Sequence, residues 1–223
     1  MTRAVPGAGS GRVPAGTGFP SGTKHKPFVI GLTGSIGMGK SETAKLFAAE
    51  GVPVHDSDAA IARLYAKGGA AVNVVAREFP DAVRDGAVDR TRLSALVVKD
   101  PAALKKLEAL VHPLATADRL DFLRAAKEPV VLMDVPLLFE TGLDKEADAI
   151  VVVSAPEAVQ RARVLARPGM TAEKFEHLKA RQMSDAEKRQ QAHYVVMTDK
   201  GLDHARDQVK MILADIRNKL AHA

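Results

Sequence analysis

Five short apolar runs recur along the chain: Phe28–Thr33, Val52–His55, Val130–Val135, Ala149–Ser154 and Tyr194–Thr198. Val130-Val131-Leu132-Met133 and Ile150-Val151-Val152-Val153 show no polar alternation, the pattern of strands buried on both faces of a parallel sheet. Helical patterns lie between the runs, which predicts βαβ units and a doubly wound sheet. Helix punctuation is readable in places. Asp100 can cap a helix with Pro101 at its first position, where no amide hydrogen is needed. Leu104, Leu107 and Leu114 continue one apolar face, and Pro113 inside that face predicts a kink or break. The last helix places Leu202, Ala205, Val209, Ile212 and Ile216 on one stripe. No internal repeat or second domain-sized unit is visible.

Composition changes this picture little, apart from the N-terminus. The 223 residues include no cysteine. Disulfides, thiolate chemistry and cysteine–zinc sites are therefore excluded, and a reducing cytosol fits. No apolar run reaches the roughly 18 residues of a membrane helix. The net charge is +5, yet Arg3, Arg12, Lys24 and Lys26 all precede the first strand, without one acid. Of the 32 basic residues 28 then remain, against 27 acidic ones, so the core is near neutral and lacks the excess expected of a nucleic-acid-binding face. Residues 1–26 are rich in Gly, Pro, Ser and Thr. They read as a disordered extension without a secretory signal, followed by a single domain over 27–223.

Gly34-Ser35-Ile36-Gly37-Met38-Gly39-Lys40-Ser41 matches G-x-x-x-x-G-K-[ST], with a predicted strand before it and a helical stretch, Ser41–Ala49, after it. The glycines let backbone amides turn toward phosphate oxygens, and the helix start adds a positive dipole end. Lys40 can reach β- and γ-phosphates. The Ser41 hydroxyl can bind Mg2+, and Glu42 follows in the first helical turn. The expected ligand is a nucleoside triphosphate.

Two absences bear on what attacks the γ-phosphate. Val131-Leu132-Met133-Asp134 is followed by Val135-Pro136, without the water-activating acid of a motor ATPase, and no guanine-reading Asn-Lys-x-Asp segment follows a late strand. Both favour transfer to a bound acceptor. Asp134 is either an outer magnesium ligand or a strand-end cap. Val54-His55-Asp56-Ser57-Asp58 brings two carboxylates to the end of the second strand, where ligands bind in open α/β sheets. Spacing alone leaves Asp56 as either a catalytic carboxylate or a helix cap. The segment 160–191 is the most basic part of the core. Arg163 and Arg167, four apart, fall on one helix face before Pro168-Gly169. It is either a lid that closes over triphosphate or a solvated hairpin with ordinary surface charge.

Taken together these residues resemble the dephospho-CoA kinase family. The resemblance rests on Gly31-Leu32-Thr33-Gly34 leading into the loop and on Asp56-x-Asp58 followed by Arg63. It rests also on His112-Pro113, on Pro136-Leu137-Leu138-Phe139-Glu140, and on Arg163, Arg167 and Gln182 in the basic segment. It covers the chain from Phe28 to the last helix. It departs at Pro168, where the family often has an acid, and at Ala192-His193 and Thr198, where it has Ala-Asp and a nearby Asn. These departures lie on the adenine side.

The resemblance implies transfer of the ATP γ-phosphate to the ribose 3′-hydroxyl of dephospho-CoA, with Mg2+ as cofactor. Asp56 becomes the base and Lys40 and Arg167 the transition-state cations. ATP contacts fall to the 34–42 segment, Arg163 and Arg167. Asp58, Arg63, His112, Leu138 and Glu140 become the acceptor side. The implied fold is α/β, a P-loop kinase-like three-layer fold with a five-stranded parallel sheet, a helical acceptor-binding insertion over 57–128 and a helical lid over 160–191. A cytoplasmic monomer or weak oligomer, without nucleic acid or membrane, completes the expectation. The competing readings are a nucleoside monophosphate kinase and a regulatory P-loop nucleotide-binding protein.

Overall fold

The computed structural model describes residues 26–222. The extension assigned to residues 1–26 lies outside them, apart from Lys26. In chain order the elements are β1 (Phe28–Thr33), α1 (Lys40–Ala49), β2 (Val54–Asp56), α2 (Ser57–Tyr65), α3 (Ala70–Glu78), β3 (Val83–Arg84), β4 (Ala87–Val88), α4 (Arg90–Val97), α5 (Pro101–Ala125), β5 (Val130–Asp134), β6 (Ala149–Ser154), α6 (Glu157–Leu165), α7 (Ala172–Lys179), α8 (Asp185–Gln190), β7 (Tyr194–Met197) and α9 (Leu202–Ala221).

The five expected strands form one parallel sheet in the order β2-β5-β1-β6-β7. Their unbroken apolar character is explained by cover on both faces. Ile30, Leu32, Val130, Leu132, Val151 and Val153 pack with Phe47 of α1 and Val209, Ile212 and Ile216 of α9. The alternate residues Val29, Val131, Met133, Ile150 and Val152 pack with Leu123 of α5 and with Leu138. Period-two side-chain direction thus divides each strand between two cores.

The stretch from α2 to the first half of α5 has a third core of its own, built on Leu64, Val72, Val75, Phe79, Leu93, Val97 and Val111. A short antiparallel pair, β3 and β4, lies inside it and was not expected. Its turn is Asp85-Gly86 with φ of 50° and 77°, the two positive values a two-residue hairpin turn requires.

Two helix expectations change. Pro113 neither breaks nor ends α5, which runs unbroken through 25 residues. Proline forfeits one amide hydrogen bond, but Leu107, Leu110, Val111 and Leu114 are held against the insertion core around it. On α9 the buried stripe begins at Ala205, and Leu202 is exposed. Among the described residues no helix is long and apolar enough to cross a membrane.

The cap at the start of α5 is as read from the sequence. Asp100 Oδ1 accepts from the amides of Ala102 and Ala103 at 2.9 and 3.1 Å, with Pro101 at the first helical position. Asp100→Ala should lower stability by about 1 kcal/mol. That appears as a melting-temperature fall of about 2–4 °C. An unchanged melting temperature would show that this helix end is held by packing alone.

Candidate active site

The loop 34–41 runs from the end of β1 into the first turn of α1, and its shape is set by close contacts. A Cβ on Gly34 would stand 2.7 Å from the Val153 carbonyl oxygen of β6. Gly37 has φ of 79°, and a Cβ there would meet Val164 of α6 at 2.4 Å. Side chains hold the rest. Gln160 Nε2 donates to the Ile36 carbonyl at 2.8 Å, and the Ile36 amide donates to Gln182 Oε1 at 3.1 Å. Thr198 Oγ1 donates to the Met38 carbonyl at 2.7 Å. The Ala155 amide donates to Met38 Sδ at 3.2 Å, and Met38 is buried. Ser35 is also buried.

Arg163 belongs to this frame. Its guanidinium donates to Thr198 Oγ1 at 2.8 Å and to the Thr198 carbonyl at 2.7 Å. Arg167 does not share its helix, contrary to the spacing argument. The helix α6 ends at Leu165 with Ala166 as its C-cap, because Pro168-Gly169 follows and Gly169 takes φ of 73°. The Arg167 side chain is exposed and, among the described residues, makes no hydrogen bond or ion pair. The helices α6, α7 and α8 and their connections make up the segment 160–191. They border a cavity of about 390 Å³ lined by Ser35, Gln160, Glu176, Lys179, Gln182 and Asp185.

At the carboxyl edge of the sheet, β2 pairs with β5 in a register that sets Asp56 beside Asp134. Lys40 Nζ donates to Asp134 Oδ1 at 2.5 Å. Asp134 is buried, and burial is the main reason its carboxyl titrates above the ordinary range. The charge of Lys40 opposes this, while those of Asp56 and Asp58 add to it. Asp56 caps α2, its Oδ1 accepting from the Ala59 amide at 3.0 Å. The capping role is thus real, and among the described residues it leaves Oδ2 unengaged. Ser41, Asp56 and Asp134 line one cavity of about 210 Å³. Glu42 is exposed and engaged with Lys45 at 2.7 Å.

Among the described residues no group of three or more His, Asp or Glu side chains is arranged to hold a metal alone. The Ser41 hydroxyl and the Asp134 carboxylate nevertheless suit Mg2+, which is usually held by one or two protein oxygens together with phosphates and water. The crowding of Asp134 by two further acids is the kind of field a cation relieves.

Arg63 of α2 donates to both oxygens of Asp118 on α5, at 2.8 and 3.1 Å. His55 Nε2 meets Asp118 Oδ1 at 2.9 Å from β2. Burial alone would raise the Asp118 carboxyl, but the bonds from His55 and Arg63 outweigh it and hold it low. Glu140 accepts from the Met183 amide at 2.8 Å, and the fully buried Lys188 ammonium lies 3.0 Å from its Oε1 without hydrogen-bond alignment. Burial tends to raise the Glu140 carboxyl, and the amides of Glu140 and Met183 with the Lys188 charge bring it below the usual range.

Leu138 is fully buried in the sheet core, where it would touch a Cβ on Gly31 at 3.0 Å. His112 is exposed on α5 and, among the described residues, makes no side-chain hydrogen bond. At two of the three departures, His193 Nδ1 accepts from the Ile150 amide and Thr198 holds the phosphate loop. His55, Asp118, Gln160 and Lys188 were not singled out from the sequence. Only His55, beside Asp56, carried a local hint.

Three kinds of relationship accompany this geometry. Residues 28–204 match the family model described as dephospho-CoA kinase. The dephospho-CoA kinase of Cereibacter sphaeroides is 55% identical over 192 residues, covering 86% of this chain and 97% of that protein. That of Mesorhizobium japonicum is 53% identical over 194 residues, covering 86% and 98%. The crystal structure of TT1252 from Thermus thermophilus superposes with a TM-score of 0.76 at 38% identity, covering 86% and 98%. Dephospho-CoA kinase from Campylobacter jejuni shares the fold, with a TM-score of 0.59 at 17% identity over 86% of this chain and 98% of that one.

Lys40→Met leaves Asp134 buried and facing two acids without a cation. A carboxyl whose folded pKa exceeds its unfolded value stabilises the fold below the unfolded pKa, and that contribution is lost as pH rises through the folded value. The melting-temperature deficit of Lys40→Met should therefore be larger at about pH 8 than at about pH 4. Equal deficits at the two pH values would exclude Asp134 as the group responsible.

Proposed function

The chain belongs to the dephospho-CoA kinase family, and from that membership we propose that it transfers the ATP γ-phosphate to the ribose 3′-hydroxyl of dephospho-CoA, giving CoA and ADP. The observation that carries the mechanism is the register of β2 on β5, which sets a free carboxylate oxygen of Asp56 beside the Lys40–Asp134 pair and the phosphate loop.

The loop amides and the start of α1 bind the phosphate groups. Lys40 exchanges Asp134 for β- and γ-oxygens when nucleotide enters, since both are anionic acceptors. Asp56 takes the proton of the 3′-hydroxyl as that oxygen forms its bond to the γ-phosphorus, and the bond to ADP breaks. Its cap on α2 fixes its position without consuming the second oxygen. Arg167, unengaged at the end of α6, supplies positive charge to the transferring group when the 160–191 segment closes. Ser41 and Asp134 would hold Mg2+, which neutralises phosphate charge.

Arg163 serves ATP indirectly, through Thr198 and the loop. Asp58, Arg63, His112 and Glu140 face the acceptor side, and Leu138 supports it from the core. A monomer or weak oligomer completes the proposed reading. A cytoplasmic setting suits the absence of a membrane-crossing helix among the described residues.

ADP release should be measured with dephospho-CoA, AMP, GMP and no acceptor in parallel. Dephospho-CoA should stimulate strongly. Stimulation by AMP alone would replace the acceptor, and rapid acceptor-independent hydrolysis would overturn the transferase reading.

Asp56→Asn should lower turnover about a hundredfold or more, with a smaller effect on ATP binding, because an amide cannot take the proton. A large loss in Asp58→Asn with none in Asp56→Asn would reverse the assignment of the two acids. Arg167→Ala should depress kcat more than it raises the KM for dephospho-CoA.

A further inference from the structure

The dipeptide Gln182-Met183, in the connection between α7 and α8, is moored at two distant points. Gln182 Oε1 accepts from the Ile36 amide of the phosphate loop at 3.1 Å. The next amide, of Met183, donates to Glu140 Oε1 at 2.8 Å. One end therefore sits on the nucleotide loop, and the other on the carboxylate that closes the Pro136–Glu140 run.

The two sides of Ile36 differ in stiffness. Its carbonyl is held by Gln160, which is 2% exposed on α6, the helix whose Val164 abuts Gly37. Its amide is held by Gln182, which is only half-buried and lies outside any helix. The carbonyl bond is the fixed one, and the amide bond is the one that can exchange. A charged oxygen on a backbone N–H makes a bond about twice as strong as a neutral amide oxygen does. A triphosphate oxygen arriving at the loop therefore outcompetes Gln182. Where the Gln182 backbone follows its displaced side chain, the Met183 amide goes with it, since the two residues share a peptide bond. Glu140 is then left with Lys188, whose ammonium has hydrogen-bonding capacity to spare. At the start of α8, Asp185 is tied to Ser154 of β6, which fixes the far end of the connection.

We propose that Gln182 is a positioning residue that couples nucleotide occupancy of the phosphate loop to the acceptor side, acting through Met183 and Glu140. The proposal rests on the phosphotransferase reading, because it takes Glu140 to be on the acceptor side. Gln182 touches no reacting atom. Its effect is on how each substrate alters the binding of the other.

The test is calorimetric titration of dephospho-CoA with and without a non-hydrolysable ATP analogue and Mg2+, on the full chain and on Gln182→Ala. In the parent the analogue should change dephospho-CoA affinity about fivefold or more. In Gln182→Ala that factor should fall to near one, and the analogue alone should bind no more weakly than to the parent, since its competitor for the Ile36 amide is gone. Gln182→Glu keeps an oxygen for the Ile36 amide but sets a carboxylate where phosphate arrives, and should weaken analogue binding about tenfold or more.

Hydrogen exchange over residues 182–185 supplies an acceptor-independent measurement. The analogue alone should alter it in the parent and not in Gln182→Ala. A coupling factor unchanged in Gln182→Ala overturns the proposal. Failure of the parent to bind dephospho-CoA overturns the acceptor assignment instead. The exchange measurement then decides the Gln182 link, and an analogue-induced change that survives Gln182→Ala overturns it.

Discussion

The Lys40–Asp134 ion pair is the interaction on which the rest of the site depends. A buried carboxylate is costly unless a cation or hydrogen-bond donors compensate it. Asp134 is compensated by one ammonium, that of the phosphate loop itself. The loop lysine is thereby held at the carboxyl edge of the sheet before nucleotide arrives, and the loop backbone is held with it. The same carboxylate stands beside Asp56 only because β2 and β5 run parallel and in that register. One sheet pairing thus aligns the Lys40 ammonium with the carboxylates of Asp134 and Asp56.

Around that centre the phosphate loop is framed by neutral groups. Gln160, Gln182 and Thr198 all bind its main chain through uncharged oxygens or nitrogens. Cationic groups placed there would compete with Lys40 for phosphate. Arg163 is kept one step back, gripping Thr198 and not the loop. The neighbouring side chains use the opposite device, charged pairs: Arg63 with Asp118, and Lys188 with Glu140.

Much of the fold was legible because its signals are local. The unbroken strands, the glycine loop and the Asp100 cap each occupy a few consecutive residues, and each has a physical requirement that few residue types meet. The Asp85-Gly86 hairpin carried an equally local signal and was overlooked. The partners that frame the site could not be read in this way. Gln182 meets Ile36 across 146 positions, and His55 meets Asp118 across 63. No periodicity encodes such distances. Arg163 and Arg167 show the reverse error: their spacing implied a shared helix face, but Pro168-Gly169 ends the helix before the second arginine can join it. Asp56 was legible as two alternatives, and the carboxyl group has an oxygen for each.

The helix α5 belongs to two cores at once. Val111 sits in the core of the insertion, and Leu123 sits under the sheet. Pro113 stands between them, at a point where the helix ladder lacks a rung. The protein is therefore modular along a single rod. Leu114 and Ala115 still pack on the insertion core, and Phe122 and Leu123 pack under the sheet, so a change of side-chain volume on the first stretch perturbs one core and leaves the packing of the other in place.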